Sequence, residues 1–438
     1  MKNLKKFIIA LAGLALILSG CAGFQTSNKD KESVNEDGKT VIDFWTFWGS
    51  EIRRPVIEKI IADFNESQDE IEVKHTYLPF GDIWTKELAS IAAGDPPDVV
   101  INDINATALR GQEKQAMNLS EFLKEDDISE RFYPELWNAT LHEGDSYGIP
   151  FNTDTRVLFY NKDAFEEVGL DPEKPPATWA ELEEYAGKLD VKNGDDYERV
   201  GFYPRWGIDF DVWLLNADGK NYFDENNNVQ IDTPVNLETL NWLKTWQEKY
   251  GDKTINAYKA QIDSQQGNPF FNGSLAMYTI TPTFYTQIRD YAPDLNFGVA
   301  PMPEREEGSG HTSWGGGFVA EIPEGSKNAE EAWEFIKYLT DADAQEYWAV
   351  KNFDNVANIE AAENAAKTDE FTEDGSMVYQ MAVDNMEDTL LTPIPVVAPD
   401  FTSFINPNME EFFLGSMTAE EALAKSQADV EKLVEKNK

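Results

Sequence analysis

The hydrophobic period of this chain switches repeatedly between two residues and about 3.6 residues along its N-terminal third. Residues 41–45 and 71–77 have the composition and alternation of strands, whereas residues 55–64 and 84–91 carry apolar stripes at helical spacing. An uninterrupted apolar run, 99–101, follows the second stripe. This order of strands and helices predicts right-handed βαβ units that build a largely parallel sheet covered on both faces.

The same alternation restarts after residue 156, which predicts a second α/β body. Helices are expected from Asp163, from a capping box of Thr178 and Glu181, after Pro234 as far as about Tyr250, and over most of the chain beyond residue 322. The expected strands cover residues 157–160, 275–278, 297–300 and 318–322. Two α/β bodies in one chain usually meet at a cleft, and ligands bind in such clefts.

The chain carries 80 Asp and Glu against 37 Lys and Arg, a formal net charge of −43, with 41% hydrophobic residues. Enough apolar side chain is present for a folded core, and the length predicts two or three domains. Nucleic acid is excluded as a partner, since its recognition depends on clustered Lys and Arg. An acidic surface is also typical of saline or alkaline habitats, so the charge by itself names no ligand.

The N-terminus has the pattern of an export signal, which we assign to residues 1–20. Three lysines precede an apolar stretch over 7–18, and this stretch is too short to span a bilayer. The sole cysteine, Cys21, follows Leu18-Ser19-Gly20, which resembles the bacterial lipobox; a buried or stray thiol is the alternative. Residues 21–39 are polar and predict a flexible tether, and one cysteine allows no intrachain disulfide.

Sequence motifs for nucleotide, zinc or serine-hydrolase chemistry are missing, and no cofactor or metal is expected. The three histidines are far apart in the chain, and His75 lies on the apolar face of a strand, where core packing is the favoured interpretation. Residues 224–232 offer oxygen ligands at alternate positions. Val229 stands where a calcium loop of the EF type needs glycine, so a hairpin turn is favoured there.

Aromatic residues stand beside amides and carboxylates at three predicted strand ends, in the segments 45–49, 78–82 and 102–105. Carboxyl ends of parallel strands form the edge where α/β sheets bind ligands, and a flat ring beside an amide suits a sugar. For Trp48, Trp206 and Trp314, binding and packing both fit the local sequence. Core packing is the favoured interpretation for the tryptophans on helical stripes, which are Trp84, Trp137, Trp242, Trp246, Trp333 and Trp348.

Residues 150–167, PFNTDTRVLFYNKDAFEE, resemble the signature of the extracellular solute-binding proteins, family 1, which are sugar-binding lipoproteins of bacterial ABC importers. The resemblance continues through Gly94–Asp98, Trp179–Leu182 and Trp314–Gly317. It implies a two-lobe α/β fold of the type II periplasmic-binding class, each lobe a mainly parallel sheet flanked by helices, with the ligand cleft between the lobes. The implied N-terminal lobe covers 40–152 and 318–375, the C-terminal lobe 155–312 and 385–438, and the crossings 152–155, 313–317 and about 368–387.

The resemblance also implies a ligand site at the strand ends and crossings. Maltose-binding relatives carry aromatic residues after the third strand, where this chain has Asn102 and Asp103, which disfavours a maltodextrin. Trp206, Trp213 and Tyr285 are the candidates for the wall of the second lobe. The full predicted set is Trp48, Phe80, Asn102, Asp103, Asn105, Asn152, Asp154, Trp206, Trp213, Tyr285, Trp314, Gly315 and Gly316.

The leading hypothesis is a monomeric, non-enzymatic receptor on the extracellular face of the cell membrane, anchored through lipid on Cys21. It would capture a mono- or oligosaccharide and deliver it to an ABC transporter permease. A secreted glycosidase is one alternative, because paired carboxylates beside aromatics also describe such enzymes. A surface scaffold without a small ligand is the other.

Overall fold

The computed structural model describes residues 34–194, 196–264 and 267–438. The predicted signal peptide, Cys21 and residues 22–33 of the predicted tether lie outside the described residues. Val34 pairs with Thr40 as an isolated bridge, and Asn35 donates a hydrogen bond to Glu72 at 2.6 Å. Residues 34–39, which the sequence assigned to the tether, therefore form a turn against the first two strands.

Within these ranges, no helix has both the length and the apolar character needed to cross a membrane.

The described chain alternates strands with helices, as the switching period predicts. The strands are β1 Thr40–Thr46, β2 Ile71–Tyr77, β3 Val99–Asp103, β4 Leu141–His142, β5 Asp145–Ser146, β6 Ile149–Thr153, β7 Val157–Asn161, β8 Val191–Asn193, β9 Asp196–Arg199, β10 Met277–Ile280, β11 Phe297–Pro301, β12 Ser313–Trp314, β13 Gly317–Glu321 and β14 Thr389–Leu390. The helices are α1 Arg53–Ser67, α2 Asp82–Ala93, α3 Thr107–Gln112, α4 Ser120–Glu125, α5 Pro134–Ala139, α6 Lys162–Glu167, α7 Trp179–Leu189, α8 Phe210–Asp218, α9 Pro234–Ile262, α10 Tyr285–Tyr291, α11 Ala329–Leu339, α12 Ala342–Asn352, α13 Ile359–Ala366, α14 Glu373–Asp384, α15 Thr402–Phe413 and α16 Ala419–Asn437.

A five-stranded sheet in the order β2-β1-β3-β13-β6 forms the first lobe. β1 runs parallel to both β2 and β3, and α1 buries Val56, Ile57, Ile60, Ile61 and Phe64, which is the predicted stripe. β13 lies between β3 and β6 and runs antiparallel to both. The carboxyl ends of β1, β2 and β3 and the start of β13 consequently share one edge.

The second lobe is built on the three-stranded sheet β10-β7-β11. Both outer strands run antiparallel to β7, so the expectation of a mainly parallel sheet is wrong for this lobe. The periodicity predicted the strands correctly. The direction of a strand, however, depends on which end of the sheet the chain returns to after the intervening helices, and both β10 and β11 return antiparallel to β7. Helices α7, α8 and α9 lie between β7 and β10 in the chain, and α16 packs on α9.

Helix ends follow local sequence chemistry closely. The Thr178 side chain accepts a hydrogen bond from the Glu181 N–H at 3.2 Å, and Thr418 forms a full capping box with Glu421. Pro234 occupies the first turn of α9. The backbone of Gly251 leaves the helical region at φ 72°, which interrupts α9 directly after the predicted end at Tyr250.

Helix α2 buries a different face from the predicted one. Ile83 and Glu87 point inward, whereas Leu88 is 41% exposed and Trp84 is only partly buried. Glu87 is fully buried because Arg110, from α3, donates a hydrogen bond to its carboxylate. The apolar stripe predicts the wrong buried face here, because Glu87 is more deeply buried than Leu88. The partner of Glu87, Arg110, is distant in sequence and makes this burial possible.

Arg110 also donates to Glu321 of β13 at 2.7 Å, and Asn102 of β3 donates to Glu321 at 2.8 Å. Two buried carboxylates therefore share one guanidinium. Burial raises the pKa of Glu87 to about 7, with Arg110 opposing the shift and Glu321 adding to it, and burial raises the pKa of Glu321 as well. One proton stored in this cluster at neutral pH would relieve the repulsion between the carboxylates.

We predict that Glu87→Gln flattens the pH dependence of stability. A carboxyl group whose pKa is raised in the folded state binds a proton that the unfolded chain has released, so the parent loses stability as pH rises from about 4.5 to 7. Relative to the variant, the parent should lose about 1–3 kcal/mol across this window. Urea unfolding at pH 5 and pH 8 measures it. The exposed Glu410→Gln serves as the control, and equal pH responses of parent and Glu87→Gln would contradict the assignment.

Candidate functional site

Three segments connect the two sheets, and their buried side chains bond to one another. Between β6 and β7, the hydroxyl of Thr155 lies 2.9 Å from Ser313 Oγ and 2.6 Å from Thr389 Oγ1. Asn385 donates its amide to the same Thr155 oxygen at 2.6 Å. All four side chains are almost completely buried. We refer to Thr155, Ser313, Asn385 and Thr389 as the crossing network. Its hydrogen bonds hold the three connecting segments against one another.

Glycines let the crossings approach each other more closely than any side chain allows. A Cβ on Gly315 would lie 2.5 Å from the carbonyl oxygen of Asp154 and 2.4 Å from the Thr389 methyl group. A Cβ on Gly317 would lie 2.2 Å from the carbonyl oxygen of Asn152. Both positions exclude a methyl group. At Gly316 the nearest atoms to a Cβ would be 3.7 Å away or more, which is ordinary van der Waals contact, so this position has room for a methyl group.

Asp154 stands at the centre of this arrangement. Its Oδ1 accepts a hydrogen bond from the Gly316 N–H at 2.7 Å and lies 3.1 Å from the guanidinium of Arg156. The guanidinium also lies 4.5 Å above the indole of Trp314. The Trp314 Nε1 donates to Thr392 at 3.0 Å. These contacts fix one carboxylate and one aromatic ring beside each other.

The end of β3 brings two further polar side chains to the same place. The Asp103 carboxylate accepts from the Asn105 N–H at 2.8 Å, and the Asn105 carbonyl accepts from the Ile394 N–H at 2.8 Å. Burial raises the pKa of Asp103, and the nearby Asp154 charge adds to this shift while hydrogen bonds from Asn105 oppose it. The Asn105 side-chain oxygen is buried without a hydrogen-bond partner. It is an acceptor available to a ligand hydroxyl.

A cavity of about 740 Å³ lies between the lobes beside Trp314. The first lobe contributes Gln112 and His142, and the second lobe contributes the start of α8 and the segment 220–224. Residues 392–397, which follow the third crossing, line it as well. A cavity of this size accommodates a ligand of a few hundred daltons.

Two residues that line this cavity carry polar atoms without hydrogen-bond partners. The Tyr222 hydroxyl and the Asn221 side-chain oxygen are buried, and neither has a hydrogen-bond partner. Burial raises the pKa of the Tyr222 hydroxyl, which stays protonated and can both donate and accept. Unpaired buried polar groups are costly, and a polar ligand in the cavity would pair them.

The charge of the cavity wall is negative. Glu143, Asp211 and Asp224 line it, against Lys220, whose ammonium lies 3.4 Å from Asp218. Burial raises the pKa of Asp211, with Asp209 adding to the shift and Arg156 opposing it. An anionic ligand would meet like charge here.

The structure brings together one part of the predicted site. Asp103, Asn105, Asp154, Trp314 and Gly316 converge at the crossings, and Gly315 packs closely against the Asp154 backbone beside them. Phe80 lies on the same edge of the first sheet, after β2, and is 64% exposed.

Another part of the predicted set lies in the packed interior. Trp48 is 1% exposed and packs on Phe151 and Trp348 at ring distances of 4.8 and 4.4 Å. Trp206 stacks on Tyr258 at 5.1 Å, and the Trp213 indole donates to the carbonyl of Pro204. In this conformation, these three tryptophans present no face to a ligand. For Trp48 and Trp206 the flanking Gly, Pro and polar residues indicated loops correctly, but these loops fold their tryptophans inward, whereas Trp213 lies in α8 and faces the core.

Polar contacts inside the protein account for three more members of the set. Asn102 belongs to the ionic cluster of the first lobe. Asn152 donates to Asp354 at 3.0 Å and accepts from the Phe318 N–H where the pairing of β13 and β6 is irregular. Tyr285 is 5% exposed, its ring lies 4.9 Å from Phe353, and its hydroxyl lies within hydrogen-bonding distance of Thr372.

Sequence reasoning missed Arg156, Asp211, Asn221 and Tyr222. A signal existed for Arg156, because it lies two residues after the predicted site residue Asp154 and directly follows the predicted crossing 152–155. Asp211, Asn221 and Tyr222 lie in a segment with ordinary polar composition, and only packing brings them to the cavity. The segment 224–232 forms the favoured hairpin turn, in which Asp224 accepts from the N–H groups of Asn226 and Asn228 at 2.8 Å.

His75 packs in the first lobe as expected. Its side chain is 7% exposed, lies 2.7 Å from Thr46 Oγ1, and has its pKa lowered by burial. Across residues 34–194, 196–264 and 267–438, no group of three or more His, Cys, Asp or Glu residues is arranged to hold a metal ion.

Comparisons with known proteins agree with this architecture. The sequence model of the bacterial extracellular solute-binding proteins matches residues 48–346, which confirms the resemblance seen around residues 150–167. The arabinooligosaccharide-binding protein of Bacillus subtilis (strain 168) is 24% identical over 406 residues, covering 86% of this chain and 87% of that protein. The sn-glycerol-3-phosphate-binding periplasmic protein UgpB of Escherichia coli (strain K12) is 30% identical over 285 residues, covering 61% and 62%.

Solved structures show the same fold. CpMnBP1 with mannobiose bound superposes with a TM-score of 0.74 at 28% identity, covering 89% of this chain and 99% of that one. The sugar-binding protein MalE from Xanthomonas citri superposes with a TM-score of 0.75 at 21% identity, covering 91% and 98%, and this likeness concerns the fold alone. The predicted two-lobe α/β class is confirmed.

The glycines at the crossings should respond differently to a methyl group. Gly315→Ala places Cβ against backbone and should lower the unfolding free energy by about 1–3 kcal/mol. Gly316→Ala meets ordinary contact distances and should leave stability unchanged or raise it by about 0.4–1 kcal/mol. Calorimetric melting without ligand compares the two. Equal destabilisation by both substitutions would show that Gly316 has no room for a methyl group in solution.

Proposed function

The chain belongs to the bacterial extracellular solute-binding proteins, and from this premise we propose that it captures a neutral mono- or oligosaccharide and delivers it to an ABC transporter permease. The observation that carries the proposal is the cavity beside Trp314, which joins an aromatic ring to the unpaired hydrogen-bonding groups of Asn221 and Tyr222. CpMnBP1, whose structure contains mannobiose, supports the same ligand class.

Sugar chemistry fits the groups at the site. A pyranose ring offers an apolar C–H face that packs on an indole, and its hydroxyls each need a planar or hydroxylic partner. Trp314 would supply the ring contact. Asn105, Asp154 and Asn221 would accept hydroxyl protons, and Tyr222 would donate or accept. Each bond formed by a buried group that was unpaired before binding stabilises the complex by removing a desolvation cost.

The charge of the cavity wall argues against a ligand like that of the relative UgpB, whose name specifies a glycerol phosphate. A phosphate needs Arg or Lys, and Arg156 is already shared between Asp154 and the Trp314 ring. Glu143, Asp211 and Asp224 line the rest of the cavity. A neutral ligand is therefore favoured over an anionic one.

Capture without turnover is part of the proposal. The Asp154 carboxylate already accepts a hydrogen bond from the Gly316 N–H and pairs with Arg156, so these two contacts hold it in place as an acceptor. Family members are binding proteins, and we propose that this chain likewise cleaves no glycosidic bond and acts as a monomer.

Substitutions at Trp314 test the ligand contact. Trp314→Ala should weaken sugar binding by about tenfold or more, since a truncated aromatic contact costs about 2 kcal/mol. Trp314→Phe loses the same indole N–H bond to Thr392 but keeps a ring face, so it should retain most of the affinity. Calorimetric titration against a panel of neutral sugars, with circular dichroism as the folding control, measures both. Parent-like binding by Trp314→Ala would contradict the assignment.

Asp154→Asn separates a receptor from a glycosidase in the same samples. The variant should bind sugar more weakly by about 1–3 kcal/mol, because it loses a charged acceptor. Product analysis after prolonged incubation should detect no cleavage by the parent or by the variant. If the parent hydrolyses a sugar and Asp154→Asn abolishes this hydrolysis, the protein is a glycosidase and the proposal is wrong.

Membrane anchoring is the second part of the proposal. Cys21 is the one cysteine of the chain and follows Leu18-Ser19-Gly20. We propose that signal cleavage before Cys21 and lipid on its thiol hold the protein at the extracellular face of the cell membrane. The polar residues that follow would let the lobes reach the permease.

The Cys21 thiol is the only atom of the chain that can form the thioether to lipid. Cys21→Ser should therefore release the protein into the medium or leave an uncleaved precursor. Fractionation and intact mass spectrometry of the purified protein distinguish these forms. A variant that remains membrane-bound, is cleaved after Gly20 and keeps the added hydrophobic mass would overturn the anchor.

A further inference from the structure

Arg156 is a buried cation beside the cavity, at the point where the first crossing enters β7. The residue is 8% exposed. Among the described residues, it is the one cation that both pairs with Asp154 and lies over the ring of Trp314. Lys220, which also lines the cavity, pairs with Asp218 instead. A buried charge is costly unless it is paired, so the contacts of Arg156 are informative.

The backbone of Arg156 is fixed by the crossing network. Its N–H donates to Ser313 Oγ at 2.8 Å, and its carbonyl oxygen accepts from the same hydroxyl at 3.0 Å and from the Asn385 amide at 3.2 Å. The side chain also returns one bond to the backbone, because Nη1 donates to the Thr155 carbonyl at 3.0 Å. The guanidinium therefore extends from a rigid base, and one of its ends is fixed.

The guanidinium contacts two side chains of the candidate site at once. Nη1 lies 3.1 Å from Asp154 Oδ1, and the guanidinium carbon lies 4.5 Å from the centre of the Trp314 ring, over one of its faces. The indole N–H donates to Thr392, so one face and one edge of the ring are occupied. The opposite face of Trp314 is therefore the one that remains for a ligand.

The same cation acts on the second-lobe wall of the cavity. Burial raises the pKa of Asp211, the Asp209 charge adds to this shift, and the charge of Arg156 opposes it. Asp154 on the crossing and Asp211 on α8 thus lie in the field of one guanidinium. Without Arg156, Asp154 would lose its ion-pair partner beside a wall that is mainly acidic.

We infer that Arg156 is a positioning residue for sugar capture, which holds the Asp154 carboxylate and the Trp314 ring in one fixed arrangement before the ligand arrives. The inference rests on the proposed function. A guanidinium suits this role, because its plane covers an aromatic face while its N–H groups donate to a carboxylate; an ammonium supplies charge without a plane. Fixing both side chains beforehand reduces the entropy cost of ordering them on binding.

Arg156→Ala and Arg156→Lys test this role, with Arg199→Ala as the matched control. Arg199 is another partly buried arginine of the second lobe, pairs with Glu167 at 2.8 Å and lies outside the cavity. Calorimetric titration uses D-mannose, mannobiose, mannotriose, glucose, maltose and maltotriose, and circular dichroism checks folding. For the sugar that the parent binds most tightly, Arg156→Ala should lose about tenfold or more in affinity, Arg156→Lys should lose less, and Arg199→Ala should lose none.

Chemical rescue separates positioning from general damage to the fold. Guanidinium chloride at a millimolar concentration, far below what unfolds proteins, should restore part of the affinity of Arg156→Ala, because the free ion can occupy the vacated space between Asp154 and Trp314. Sodium chloride at the same ionic strength should not, and neither salt should strengthen binding by the parent or by Arg199→Ala. Arg156→Met, which keeps most of the apolar stem, takes the place of Arg156→Ala if the alanine variant does not fold.

Parent-like binding by Arg156→Ala overturns the positioning role and leaves the proposed function standing. An equal loss in Arg199→Ala overturns it as well, and so does a loss that neither guanidinium nor the lysine variant relieves, since general damage gives that result. Relief by either one, with parent-like binding by Arg199→Ala, supports the role. Absence of binding by the parent to every sugar of the set overturns the proposed function and this inference together.

Discussion

The hydroxyl of Thr155 is the contact through which all three connections between the lobes meet. It lies within 3 Å of Ser313, Thr389 and the Asn385 amide, and burial removes water as a competing partner. Ser313 donates to the Arg156 carbonyl and Thr389 to the Asn385 carbonyl, so only Thr155 has a hydroxyl proton left to share within the network. Because these side chains are short, they satisfy one another's hydrogen-bonding groups while the three connecting segments remain close together.

The geometry of the candidate site follows from this network. With the crossings held together, the Gly316 N–H reaches Asp154, and Arg156 lies between Asp154 and Trp314. The side chains that would hold a ligand are thus positioned by backbone and by a buried network rather than by flexible loops, which reduces the entropy cost of binding.

Tryptophan serves two purposes in this chain, and burial separates them. Trp48 and Trp213 fill the interiors of the two lobes, where their rings pack on other aromatics. Trp314 is only partly buried and lines the cavity. Glycine and polar neighbours flank Trp48 and Trp314 alike, so local sequence cannot tell an inward ring from one that borders the cavity. The partners that decide the matter, such as Trp348 for Trp48, are hundreds of residues away.

The sequence by itself determined the alternation of strands and helices and several helix ends, because hydrophobic period, capping and turn residues act over a few positions. Its resemblance to the solute-binding family implied the two-lobe class and the crossings. Tertiary structure alone decided the antiparallel second sheet, the buried face of α2 and the side chains that reach the cavity. Glu87 is buried because Arg110 and Asn102 surround it, and Asp211 reaches the cavity because α8 packs beside the crossings. The cost of burying a polar group depends on partners distant in sequence, and no local pattern contains that information.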